Sequence, residues 1–159
     1  MFSKLVSVED AVHILDVRDQ SVLDEAIARG QITPAQSPKK NLAAFRLSDI
    51  VLFKLAQALE RAGVDPEKAP RYAHAILGSR LSAHDKNLVE WIENESQELF
   101  CLIEDYQLAR IFLRSKHDGK ELDVGAVKPI LLPATRCEIN VFRVIRPVVY
   151  RARQLLSAK

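Results

Sequence analysis

A chain of 159 residues, 48% apolar and 28% charged, is long enough to bury a core without disulfides and too apolar for global disorder. Its net charge of +2 is too small to imply a nucleic-acid partner by itself, and its two cysteines, Cys101 and Cys137, are too few and too far apart for a thiolate metal site. No apolar run approaches the ~20 residues of a membrane span and no signal peptide opens the chain, so the expectation is a cytoplasmic protein with no membrane partner.

Charge is unevenly spread. The segment 81–131 is acidic, whereas 133–159 sets Arg136, Arg143, Arg146, Arg151, Arg153 and Lys159 against Glu138 alone. The cysteines lie in apolar surroundings and read as buried thiols.

Ser7 is a suitable N-cap for a first helix, with Glu9 and Asp10 in its first turn and Val8, Ala11, Val12 and Leu15 at helical spacing. "DVRD" breaks that helix. Asp19 then caps a second, whose stripe is Val22, Leu23, Ala26 and Ile27 and which Gly30 ends in a left-handed conformation. Two short helices joined by a tight turn make a helix-turn-helix. "ITPAQSPKKNLAAF" has no period and carries Lys39 beside Lys40, as an extended excursion or two-stranded wing would. Ser48 is placed to cap the strong helix "SDIVLFKLAQALERAG", ended by Gly63, and "DPEKAPRYAHAIL" follows with Asp65 as cap and Pro66 at the first helical position.

The order helix, turn, helix, Gly, "ITP" and then "AFRLSDIVLFKLAQALERAG" resembles the MerR-type winged helix-turn-helix, a scaffold that also resembles excisionases and phage small-terminase proteins. The similarity covers roughly residues 5–77. The family's usual Arg and Tyr positions in the second helix are filled by Leu23, Asp24 and Glu25, and its long dimerising coiled coil is absent. What the resemblance implies is binding to double-stranded DNA, with the second helix in the major groove. Arg18, Gln20 and Ser21 are the candidate base contacts, with Asp24 and Glu25 beside them as acidic neighbours. Lys39, Lys40 and Arg46 are the candidate phosphate contacts around the wing. Arg46 has an alternative role as a partner of Asp49.

In the second half, "SAHDKNLVEWIENESQ" reads as a helix capped by Ser82, with Trp91 toward the core. "ELFCLIE" and "QLARIFLRS" read as strands, "KHDGKE" as an Asp-Gly turn and "VKPILLP" as a third extended run. Such a sheet needs helices packed on one face. From Val141 the apolar residues recur at Val144, Ile145, Val148, Val149, Ala152, Leu155 and Leu156, an amphipathic helix capped by Asn140. Pro147 should kink it or shift its start toward Arg146. Arg143, Arg146, Tyr150 and Arg153 share the other face. The stripe fits core packing, a homodimer through Val141, Ile145, Val148, Val149 and Ala152, or a basic membrane or nucleic-acid surface.

His13, His74, His84 and His117 show no metal-ligand spacing, and no phosphate loop or nucleophile elbow is present, so neither an enzyme nor a cofactor is expected. The expected architecture is α+β. A MerR-like winged helix-turn-helix occupies 1–78, and a small antiparallel sheet with a C-terminal amphipathic helix occupies 81–159. The expected function is a DNA-binding transcriptional regulator acting as a homodimer. The alternative is a protein-interaction module on the same scaffold that does not read DNA.

Overall fold

The computed structural model describes residues 1–36, 43–78, 80–81, 86–103, 109–127 and 137–158. Strand β1 (Leu5–Ser7) runs straight into helix α1 (Val8–Leu15). Ser7 Oγ accepts the Asp10 amide at 3.1 Å, satisfying one donor of the first turn. The buried face is Ala11, Ile14 and Leu15. The helix ends where Asp16 turns left-handed, at φ 56°. The amides of Asp16 and Val17 then fold back onto the carbonyls of His13 and Val12, at 3.1 and 3.3 Å. Helix α2 (Ser21–Ala28) buries Leu23 and Ala26 and ends at Gly30, whose φ of 67° lets the Gln31 amide reach the Ala26 carbonyl at 2.8 Å.

Strands β2 (Ala35–Gln36) and β3 (Ala43–Arg46) pair antiparallel, and β1 pairs antiparallel with the other edge of β3, giving the order β1-β3-β2. Helix α3 (Leu47–Arg61) begins one residue before the expected cap. Ser48 is inside it because the N-terminal segment does the capping. The Leu47 amide donates to the Lys4 carbonyl and the Ser48 amide to the Phe2 carbonyl, both at 3.0 Å. Helix α4 (Ala69–Ala73) starts later than Pro66. Residues 66–68 form a turn on Asp65, whose carboxylate accepts the Glu67 amide at 2.9 Å. Pro70 has no amide to return to the Pro66 carbonyl, so the α-helical ladder cannot begin there. A wide π-helical turn, His74–Gly78, follows.

Helix α5 (Lys86–Glu93) leads to β4 (Gln97–Ile103), β5 (Ala109–Ser115), β6 (Glu121–Val127) and β7 (Cys137–Asn140). These make an antiparallel sheet of order β6-β5-β4-β7. Two strands match the sequence reading. The third is Glu121–Val127 rather than "VKPILLP", most of which lies outside the described residues, as does Ser82. Strand β7 is an addition. It is short, and it lies next to a much stronger helical pattern.

Helix α6 (Val141–Ser157) follows β7 without a loop, and Asn140 Oδ1 accepts the Arg143 amide at 3.0 Å. Pro147 neither ends the helix nor displaces its start. The helix packs against α1, α3 and β4. Val141, Ile145, Val148 and Ala152 are fully buried and Val149 nearly so, within one chain. The stripe expected to form a homodimer is therefore core, since almost nothing of these five side chains is left open to a second copy. Buried residues from Phe2 to Ala152 belong to one hydrophobic cluster, so segments 1–78 and 81–159 share a core.

Burying an unpaired carboxylate costs several kcal/mol. Val148→Asp should therefore unfold the protein or lower its urea midpoint severely. A variant that stays folded while its mass by light scattering halves would return the stripe to a dimer interface.

Candidate nucleic-acid interface

Arg18, Gln20 and Ser21 are all exposed at the entry of α2. Asp19 organises that entry. Its Oδ1 accepts the Ser21 amide at 2.8 Å and the Ser21 hydroxyl as well. These two bonds, the hydroxyl first, hold the Asp19 carboxyl below its ordinary value. Gln20 Nε2 reaches Asp24 Oδ1 at 3.4 Å, and Glu25 is paired with Arg29 one turn on. Two of the three candidate base contacts thus lean on acidic neighbours. Arg18 has no side-chain partner among the described residues.

Arg46 is exposed at the end of β3. Its expected partner Asp49 instead accepts from Ser48 Oγ at 3.3 Å. Lys39 and Lys40 lie outside the described residues, between β2 and β3.

The turn between α1 and α2 is braced from behind by residues that the sequence did not single out. Arg151 Nη1 donates to the Ile14 carbonyl at 2.7 Å and Nη2 to Asp16 Oδ2 at 3.1 Å. Lys54 Nζ donates to the Leu15 carbonyl at 3.2 Å. Both cations sit at the negative end of the α1 dipole. No local pattern could have revealed this, because α1, α3 and α6 are distant in sequence.

The polar face of α6 is likewise not simply solvated. Arg146 donates to the carbonyls of Ile92, Asn94 and Gln97 at 2.8, 2.9 and 2.8 Å, closing the end of α5 and the start of β4. Arg153 pairs with Glu93. Arg143 remains exposed, and Tyr150 is 38% exposed.

The outer face of the second sheet is an ionic layer over aromatic rings. Phe100 and Phe112 stack with centroids 5.6 Å apart. The Arg114 guanidinium lies 4.4 Å from the Phe100 centroid and Arg110 4.7 Å from that of Phe112. Glu121, Asp123 and Glu138 bind these two arginines. Among the described residues, the two arginines of this face are thus matched by three carboxylates. Among the described residues, no three His, Cys, Asp or Glu side chains gather as metal donors, and no helix is long and apolar enough to cross a membrane. Cys101 is a buried free thiol. No protein-family model and no curated protein matches the chain.

The Asp19–Ser21 contact, one residue ahead of the α2 cap Gln20, has a pH signature. The Asp19 carboxyl is lowered on folding, so its contribution is fully present above the unfolded value of 3.8 and fades as pH falls through the lower folded value. Asp19→Ala should lower the melting temperature at neutral pH, and the gap to the parent should narrow in acid as the charge-dependent part is lost. Asp19→Asn, which keeps an acceptor but not the charge, should fall between the two at neutral pH. Melting curves from pH 2 to pH 7 check both, and a gap for Asp19→Ala that is undiminished at pH 2 would count against a role for the carboxylate charge.

Proposed function

We propose that β1 through α4 form a winged helix-turn-helix and that the protein is a sequence-specific DNA-binding regulator. The supporting observation is the order β1–α1–α2–β2–β3–α3 around a three-stranded sheet β1-β3-β2, with Arg18 and Gln20 exposed at the start of α2. On this reading α2 enters the major groove, Arg18 pairs with a guanine and Gln20 with an adenine. The β2–β3 hairpin is the wing, carrying Lys39 and Lys40 to the phosphates with Arg46 at its base. Pairing of two copies, where a two-fold operator calls for it, uses a surface other than the α6 stripe.

A second reading has its own observation. Asp24 and Glu25 are exposed on α2 directly beside the proposed base readers, and Gln20 is hydrogen-bonded to one of them. Carboxylates there repel phosphates and suit a basic protein partner. This reading keeps the scaffold and gives up the DNA.

Salt dependence separates the two. Each phosphate neutralised adds about 0.9 to the magnitude of the log–log salt slope. Lys39→Ala/Lys40→Ala should lower that slope by roughly two and weaken binding to all duplexes alike, whereas Arg18→Ala or Gln20→Ala should relax preference at one base pair by about 1–3 kcal/mol. Fluorescence anisotropy at two salt concentrations, followed by selection from random duplexes, provides the measurement. Absence of salt-dependent binding, together with Asp24→Lys/Glu25→Lys losing a protein contact, would transfer the function to the second reading.

A further inference from the structure

Between α3 and α6 runs a groove of about 230 Å³ with four cationic side chains along it. Lys54 and Arg61 come from α3, two turns apart, and Arg143 and Arg151 from α6. Val144 and Pro147 supply an apolar wall, which focuses the field of the surrounding charges.

Lys54 and Arg151 already donate to carbonyls at the end of α1, and Arg151 also pairs with Asp16. Arg61 and Arg143 are exposed, and neither forms an ion pair among the described residues. Four cations against the Asp16 carboxylate leave a pronounced positive surplus. The crowding is felt within the cluster. Burial, then the charges of Arg61 and Arg151, push the Lys54 ammonium below its usual range, and Asp16 offsets this only in part.

The space suits a small anion. At roughly 30 Å³ per water it holds about eight waters, enough for a phosphoryl group and part of its shell. It is open to solvent on one side and smaller than the ~300–1,000 Å³ of sites that enclose larger organic ligands. Guanidinium forks match phosphate oxygens in pairs, which a spherical chloride cannot use.

We propose that the α3–α6 groove binds a phosphate-class dianion, as inorganic phosphate or the phosphoryl end of a small metabolite, and that the anion competes with Asp16 for Arg151. Because Asp16 is the left-handed residue that closes α1, occupancy acts at the turn between α1 and α2. The site stands independently of the DNA reading, since none of its four cations belongs to the proposed base or wing contacts.

The test is calorimetric titration of the full chain with inorganic phosphate and with pyrophosphate at constant ionic strength, without DNA. Saturable binding is expected, at least tenfold weaker in Arg61→Ser/Arg143→Ser. Both side chains are exposed, so circular dichroism should show that variant folded, and the single variants serve if it is not. Asp16→Asn, which tolerates the left-handed backbone, should bind the anion several-fold more tightly. Absence of saturable binding, or a double variant that binds as the parent does, overturns the site, and unchanged affinity in Asp16→Asn overturns the competition. If neither free anion binds but the double variant loses affinity for a duplex, the cluster contacts a DNA backbone and the small-anion site is wrong.

Discussion

Every helix leaves its last carbonyls without donors, and at the ends of α1 and α5 those carbonyls are taken by arginines of α6. Arg151 reaches Ile14, and Arg146 reaches Ile92 and the carbonyls of Asn94 and Gln97 on the way into β4. A guanidinium suits this position because it has five donors in a rigid fork and meets the negative end of the dipole. Hydrogen bonds to charged groups contribute about 1.5–3 kcal/mol each. Burial of the α6 stripe stabilises the fold more in total, at roughly 1.5–3 kcal/mol for each fully buried Val or Ile side chain. Burial is non-directional, however, and would tolerate a helix slid along its axis. The arginine contacts are directional. They fix where α6 sits against α1 on one side and the α5–β4 junction on the other.

This placement has a consequence for the turn between α1 and α2. Asp16 holds a backbone conformation that side-chain-bearing residues rarely adopt, and its carboxylate is gripped by Arg151. Lys54 closes the neighbouring carbonyl from α3. The turn that sets the angle between the two helices is thus tied to two elements outside it. The end of α1 is therefore tied to the C-terminal helix, in keeping with the one core that segments 1–78 and 81–159 share.

Local chemistry was legible in the sequence wherever it acts over a few residues. Ser7 and Asn140 cap as their types and positions suggest, whereas Gln20 rather than Asp19 is the cap residue of α2 and Asp19 holds the Ser21 amide from one residue earlier; Gly30 and Gly63 end their helices with positive φ. Strands β4 and β5 follow their β-branched and aromatic content. The misses are tertiary. Ser48 yields its cap to backbone carbonyls of Lys4 and Phe2, which no local pattern announces. Strand β7 exists because β4 offers it an edge, in register from Phe100↔Asn140 to Ile103↔Cys137. The breadth of the α6 stripe suggested a second copy because the sequence shows an apolar face without showing how many elements cover it. Three of them, α1, α3 and β4, come from both halves of the chain. Of the candidate site, the exposure of Arg18, Gln20, Ser21 and Arg46 was legible, whereas the Ser21 hydroxyl bond and the missing Arg46–Asp49 pair depend on side-chain geometry.

The same logic revises what the basic C-terminus means. Clustered arginines in a sequence suggest a surface for polyanions, yet their charge adds to such a surface only where carbonyls and carboxylates do not already occupy it. Arg146 is taken up by backbone carbonyls and Arg153 by Glu93, while Arg110 and Arg114 on the sheet are matched by three acidic residues. Arg143 faces the α3–α6 groove with Arg61, while Arg18 is exposed just before α2 and Arg46 at the end of β3, all without ion pairs among the described residues. The electrostatic identity of this protein therefore rests less on its net charge of +2 than on which guanidinium groups the fold leaves unused. Among the described residues, two of those, Arg61 and Arg143, meet in the groove between α3 and α6.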